Sequence, residues 1–367
     1  MDPSVAQTTG RPASIAHSGA THTPGPIVLF GSGEASPTAR RVHAAALARV
    51  TPPVCACVLE TPAGFEPNSA RVAGRLADFL RQRLAPFQPQ VVVVPARKRG
   101  TPFSPDNPDV VAPLLRSNYL VLGPGSPTYA AAQLAGSLAW HTILARHRLG
   151  APLVLASAAA IAASAHALPV YEIYKVGEDL HWKPGLDLLG PYGRSVAIIP
   201  HWNNHDGGDE LDTSRGYLGQ ARSARLLELL PPDVDVVGID EHTALMLDFA
   251  AGTGVVFGRG GVSWQHAGGT TRLEAGASVS LASVGLTRLL APTVGIPDDI
   301  WNAVRSAHSA AALEPEPPPA ALAELVTARE TARRQGDWAL ADKLRAEIIG
   351  AGWQVQDTQA GSVLVPA

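Results

Sequence analysis

The chain carries little that would organise it around a metal, a disulfide framework, a membrane or a nucleic acid. It has two cysteines in 367 residues, Cys55 and Cys57. They stand on alternate positions of one apparent strand, too close along the chain for relaxed disulfide geometry, and no nearby His or second Cys pair completes a zinc set. They read as reduced core thiols, and neither a metal nor another cofactor is expected. Charged residues make up only 17% of the chain, and 29 Lys+Arg against 32 Asp+Glu leave a formal charge of -3. That balance gives no basic footprint for nucleic acid or an anionic membrane surface. No apolar run reaches the length of a membrane span, and the N-terminus lacks the basic start and apolar run of a signal peptide. A soluble, cytoplasmic protein without membrane partners is expected.

What is present is aliphatic bulk with frequent punctuation: 46% hydrophobic residues, 35 Gly and 32 Pro. A chain of this length and composition can bury a large core and has room for more than one domain. Residues 1–26, rich in Ser, Thr, Gly, Ala and Pro, read as a disordered lead-in. From Ile27 the pattern alternates apolar runs with helical stretches: Ile27–Phe30, Val54–Glu60, Gln90–Pro95, Tyr119–Leu122 and Leu153–Leu155 as strands, each followed by a loop and a helix. Val91-Val-Val-Val94 is the β-branched run expected of a strand covered on both faces. Such alternation implies an α/β fold, a mostly parallel sheet with helices on both faces and ligands at the carboxyl ends of the strands. Alternating runs from Thr243 to Gln265 read as antiparallel structure at the far edge. The main domain is expected to span 27–310. A stiff Pro-rich linker, 311–319, separates it from 320–367, a small helical hairpin module followed by two short strands.

The rest can be placed around Ser157. Leu153-Val-Leu-Ala-Ser157 passes from a buried strand into the Ala-rich helix that opens at Ala158, and such a turn can lift a serine hydroxyl clear of both elements. The helix start beneath offers free N–H groups suited to a developing oxyanion. The plainer alternative is that Ser157 only N-caps that helix. Gly31-Ser-Gly-Glu34 is too short for a dinucleotide fingerprint and reads as a strand-helix turn. Gly123-Pro-Gly-Ser126 suits a loop that approaches a ligand closely. A strand from Val196 to Pro200 ends in His201, with Asn203 and Asn204 as its neighbours. Nucleophile, base and oxyanion loop are the parts that acyl transfer needs.

In order and spacing, Gly123-Pro-Gly-Ser126, Ser157-Ala-Ala-Ala160, His201 and Gly238-Ile-Asp-Glu-His-Thr-Ala244 resemble the cyanophycinase and aspartyl dipeptidase family of serine peptidases. The sheet of that family is like that of class I glutamine amidotransferases. The resemblance covers Ile27 to Gln265, with the Gly238–Ala244 stretch the most specific part. It implies Ser157 as nucleophile, His201 as general base, and oxyanion or substrate contacts from Gly125, Ser126, Ala158 and Asn203. It also implies an acid between serine and histidine, Glu172 by spacing, with Glu178, Asp179, Asp206 and Asp240 as rivals. Where the family has glycines flanking the serine, this chain has Leu155 and Ala159, which raises the alternative of an inactive binding protein with the same fold. Ser164, farther into the helix, reads as a packed hydroxyl. The implied partner is a peptide-like or small-molecule substrate. Arg97, Lys98 and Arg99 are candidates to pair with an acidic one.

The tail resembles another family. Arg333-Arg-Gln-Gly-Asp-Trp-Ala-Leu-Ala-Asp-Lys-Leu-Arg-Ala-Glu347 with Gly352-Trp-Gln-Val-Gln is similar to the C-terminal end of cysteinyl-tRNA synthetases, where this region serves tRNA recognition. From Ala320 onward acidic residues outnumber basic ones, so phosphate contact is not favoured. A module for homodimerisation or a protein partner is expected, with an RNA-associated or synthetase-associated factor as the alternative.

Overall fold

The computed structural model describes residues 23–287, 289, 291–313, 320–358 and 361–366. Most of the expected lead-in and residues 314–319 of the expected linker lie outside that set. Two backbone hydrogen bonds are made ahead of Ile27: the Gly25 N–H donates to His147 O (2.9 Å), and Pro26 O accepts from the Leu153 N–H (2.9 Å).

The first half alternates strand and helix. β1 (Ile27–Phe30) leads to α1 (Ala39–Leu47), β2 (Cys55–Leu59) to α2 (Ser69–Arg83), and β3 (Gln90–Val94) to α3 (Pro108–Val111). β4 (Tyr119–Leu122) precedes α4 (Pro127–Leu134) and α5 (Leu138–Arg148), and β5 (Leu153–Ala156) precedes α6 (Ala158–Ala162). Where one helix is expected after the strand Tyr119–Leu122 there are two, because Gly136 takes φ +68° and the Ser137 hydroxyl caps α5 by accepting from the Trp140 N–H. A small ribbon, β6 (His166–Ala167) with β7 (Lys183–Pro184), is followed by β8 (Val196–Ile199), α7 (Gln220–Leu227) and β9 (Asp235–Ile239). Then come β10 (Thr243–Asp248), β11 (Thr253–Gly258), β12 (Gly261–His266), β13 (Gly269–Glu274), β14 (Ser278–Ser280) and α8 (Asp298–Leu313). The tail holds α9 (Ala320–Gln335), α10 (Trp338–Gly350), β15 (Trp353–Thr358) and β16 (Gly361–Pro366).

Among the described residues the main sheet has eight strands in the order β14-β11-β10-β1-β5-β4-β2-β3. The five strands from β1 to β3 are parallel, and β10, β11 and β14 extend the β1 edge antiparallel. β1, β4 and β5 are buried along their whole length because helices cover both faces. Leu29, Leu59, Leu122 and Leu155 pack with Ile143 of α5 and Trp301 and Val304 of α8. On the opposite face Val28, Val58, Val121 and Val154 meet Val42 and Leu47 of α1 and Leu76 and Leu80 of α2. Each such side chain contributes about 1.5–3 kcal/mol relative to exposure. The Val91–Val94 run is not covered on both faces as expected. β3 is an edge strand with Val92 44% exposed.

A second sheet, β13-β12-β9-β8, stands apart from the first. His201 therefore does not extend from the sheet that carries Ser157. It follows β8 of the second sheet, and the chain crosses from β9 of that sheet to β10 of the main one through Asp240-Glu241-His242. The two helices and the ribbon of the tail share a small cluster of their own, Leu322, Val326, Ile348 and Val355.

Candidate active site

Ser157 sits where β5 turns into α6, with φ +50° and ψ −110°. An L-residue rarely takes that conformation, at a cost of order 1–3 kcal/mol, so surrounding contacts must hold it. The Ser157 N–H donates to Phe30 O of the neighbouring strand (3.2 Å), and Ser157 O accepts from the Ile161 N–H (3.1 Å). Its hydroxyl makes no capping bond to α6. It lies 2.9 Å from His201 Nε2 instead. The non-glycine neighbours do not prevent the turn: Leu155 and Ala159 point into the core below the sheet, both almost fully buried. α6 is short, ending at Ala162, before β6. There the buried Ser164 hydroxyl accepts from the Ile198 N–H (2.8 Å), a packed role.

His201 is also in the left-handed region, φ +52°. Its N–H donates to Gly31 O (3.3 Å), while its carbonyl accepts from the Asn204 and Gly216 N–H groups (both 3.2 Å). The Tyr217 ring packs at 5.3 Å from the imidazole. Next to it Trp202 is buried against Gly238, where a β-carbon would fall 2.3 Å from the indole. Arg215 covers the other side of Trp202 with its guanidinium carbon 3.9 Å from the ring centre.

The carboxylate on His201 is Glu241, with Oε1 2.9 Å from Nδ1. The same oxygen accepts from Asn204 Nδ2 (2.9 Å), and the Glu241 N–H donates to Asn203 Oδ1 (2.8 Å). A carboxylate at Nδ1 favours the tautomer with its proton there, leaving Nε2 to accept from the serine hydroxyl. The hydrogen bond to His201 holds the Glu241 carboxyl below the ordinary carboxylate range, with burial opposing and Asn204 adding to the lowering. Glu34, from the loop that sequence alone assigns to a plain turn, lies within electrostatic reach of His201 and His242. Burial raises its pKa while those histidines lower it.

Glu172 is placed elsewhere. It begins a π-helical turn, Glu172–Val176, and its Oε1 accepts from the Thr128 hydroxyl (2.6 Å). Among its rivals, Asp240 binds Arg272 and the Gly261 N–H, Asp206 accepts from the Tyr217 hydroxyl (3.3 Å), Glu178 faces His181 (3.6 Å), and the Asp179 backbone carbonyl bonds the His181 ring. Gly125 packs so tightly on the Thr61–Ala63 turn that a β-carbon would lie 1.9 Å from Pro62 O. The Ser126 N–H donates to that carbonyl (2.9 Å), and its hydroxyl accepts from the Tyr129 N–H (3.3 Å), so Ser126 is committed to the loop. Ala158 directly follows Ser157 at the first position of α6. Asn203 is exposed and holds the Glu241 backbone. Arg97 is held by Glu60 (2.7 Å) and the Phe103 ring, and Arg99 by Asp106 (3.2 Å) and Ala135 O (2.6 Å), leaving exposed Lys98.

Hydroxyl, imidazole and carboxylate stand in one hydrogen-bonded line at a strained strand-to-helix turn, the arrangement that nucleophilic acyl transfer requires. No protein-family model matches the chain. Its fold is similar to that of a solved peptidase from an acI-B1 actinobacterium, with a TM-score of 0.58, 24% identity, and coverage of 71% of this chain and 98% of that one. The tail is similar to cysteine–tRNA ligases. It is 48% identical over 46 residues to that of Rubrobacter xylanophilus and 44% identical over 48 residues to that of Chlamydia pneumoniae. The matched stretch spans 10% of the length of each ligase.

Proposed function

We propose that this chain is a serine peptidase in which Ser157 is the nucleophile, His201 the general base and Glu241 the acid that orients it. The observation that carries this reading is the unbroken line from Ser157 Oγ through both ring nitrogens of His201 to Glu241, with 2.9 Å at each step. Ser157 Oγ attacks the carbonyl carbon of the scissile amide as its proton passes to Nε2. The carbonyl oxygen gains charge against the Ala158 N–H, with the Gly125 loop as the second side of the oxyanion site. Nε2 then returns the proton to the leaving nitrogen, the amide C–N bond breaks, and a water activated by the same nitrogen hydrolyses the ester. Glu241 stays ionised throughout and stabilises the imidazolium.

The overall sheet supports a class I glutamine amidotransferase-like, cyanophycinase-related reading of the fold. The substrate we propose is a peptide or isopeptide bond beside an acidic or otherwise polar residue. An inactive binding protein would have little reason to retain φ +50° at Ser157. For the tail we propose a role in docking a protein or a second copy. Its Arg329 and Arg333 are both engaged by Asp357 and so are poorly placed for phosphates. The test is labelling by a fluorophosphonate together with hydrolysis of a peptide library. Label on the wild type and none on Ser157→Ala is expected; label that persists in the variant moves the nucleophile elsewhere.

A further inference from the structure

Three consecutive residues beside the candidate site, Arg215, Gly216 and Tyr217, take left-handed backbone, with φ of +58°, +66° and +71°. Residues other than glycine visit this region singly and seldom, so a run of this kind stands only where neighbouring contacts enforce it. Those contacts come from the segment that carries His201. The Arg215 N–H donates to Trp202 O (3.0 Å) and the Gly216 N–H to His201 O (3.2 Å), which closes the loop 203–214 at its neck. The Tyr217 N–H donates to Thr213 O (3.1 Å), and Leu218, next along the chain, is buried.

The turn aims two side chains at two neighbouring residues. Arg215 lies over the Trp202 indole, and the half-buried Tyr217 ring stands against the His201 imidazole, with 5.3 Å between centres and 50° between planes. Tyr217 has other partners that fix its place: the Tyr174 ring is 6.0 Å away, and the hydroxyl donates to Asp206 Oδ2 (3.3 Å). Burial, with the charges of Asp206 and Glu241 adding to it, pushes that hydroxyl up to about 12, so it is neutral where a histidine acts as base. Its bond goes to Asp206 rather than to Ser157 or His201, so the ring is the part that meets the imidazole. His201 is held at both nitrogens, by Ser157 and by Glu241. Two hydrogen bonds in line leave an imidazole free to tip about the line that joins them, and a ring packed against it opposes that motion. We propose that Tyr217 is a positioning residue, whose ring, aimed by the left-handed turn, keeps the His201 imidazole aligned between Ser157 and Glu241. This inference rests on the serine-peptidase reading.

The test is the second-order rate of fluorophosphonate labelling, together with kcat and KM for a peptide that the wild type hydrolyses, in the full chain and its variants. Tyr217→Leu is expected to label and turn over about 10–100-fold more slowly, with KM changed by less than about threefold, because misalignment of the base acts on the chemical step. Tyr217→Phe keeps the ring and should return both rates to within about threefold of the wild type. Tyr217→Gly removes the ring but accepts left-handed backbone without penalty, so it should be as slow as Tyr217→Leu, and it serves equally where Tyr217→Leu does not fold. If the turn served the backbone alone, Tyr217→Gly would keep the wild-type rates. Wild-type rates in Tyr217→Gly or Tyr217→Leu, a Tyr217→Phe as slow as either, or a loss carried by KM alone would each overturn the inference while Ser157-dependent labelling stands. No Ser157-dependent labelling in the wild type would overturn the peptidase reading, and this inference with it.

Discussion

Ser157, His201 and His242 all take φ near +50°, and two of these three belong to the hydrogen-bonded line. Strain concentrated in this way indicates that the backbone is bent to aim side chains. Ser157→Ala and His201→Ala should each lower turnover by several orders of magnitude while leaving the thermal midpoint within a few degrees, measured by peptide hydrolysis and thermal unfolding. Glu241→Gln keeps the shape but lets Nδ1 face an amide in place of a charge, and a loss on the order of 10³–10⁴ in kcat is expected. Glu172→Gln should cost less than about tenfold, since Glu172 is bonded to Thr128 rather than to His201. The reverse ranking in kcat would return the acid role to Glu172. The sign of the pH effect follows from the lowered Glu241 pKa. The His201–Glu241 pair contributes stability above the ordinary value of 4.5, and that contribution is lost as pH falls through the lower folded value. Urea midpoints taken from neutral to acid pH should therefore fall less steeply in Glu241→Gln.

Among elements, the crossing from β9 to β10 matters most. Asp240 anchors its start to Arg272 and the Gly261 N–H, Glu241 reaches His201, and the His242 N–H donates to Ser32 Oγ (3.0 Å). One short turn thus ties the second sheet to the first and places the Glu241 carboxylate between them. On the adjoining strand, Gly238 leaves the space that Trp202 fills beside His201. Gly238→Ala puts a methyl against the indole, with an expected loss of about 1–3 kcal/mol from overpacking. Because Trp202 adjoins His201, the proposed base, kcat should fall further than stability alone explains. Unfolding by urea, paired with hydrolysis rates well below the transition, separates the two effects. A variant with wild-type stability and rate would show that Trp202 can move away at no cost.

For the whole molecule, the tail's cluster of Leu322, Val326, Ile348 and Val355 is small, and its polar contacts centre on Asp357, which Arg329, Arg333 and Ser362 surround. Trp338 is 60% exposed, and Leu340, Ile349 and Val363 are exposed with it. A chain cut after Leu313 retains both sheets of the main body. It is expected to keep its hydrolytic rate and to melt within a few degrees of the full chain, at about 2–4 °C per kcal/mol. Solution mass compared between the two forms tests whether the tail brings copies together. Cooperative loss of the entire fold on truncation would make the tail part of the main core.

Much of this architecture is local in origin and could be read from residues in order. Apolar runs such as Leu153–Leu155 form strands wherever helices cover them, and the passage from such a run into Ala158-Ala-Ala places Ser157 at a strand-helix turn. Spacing brought His201 to notice. Other features depend on contacts that no local pattern contains. Val91–Val94 has the composition of an interior strand, yet its neighbours are set by strand order, which leaves it at the edge. β8 looks like any other buried strand, and only pairing with β9 assigns it to a second sheet. Glu172 has suitable spacing and Glu241 does not, but distance along the chain is no guide once the acid is delivered across two sheets by a turn. Gly238-Ile-Asp-Glu-His-Thr-Ala244 was the signal that could have found Glu241. The sequence alone determined which segments become strands and helices and which serine stands at a turn, because those follow from near-neighbour chemistry. Tertiary structure decided which carboxylate meets the histidine, because hydrogen bonds are made between neighbours in space.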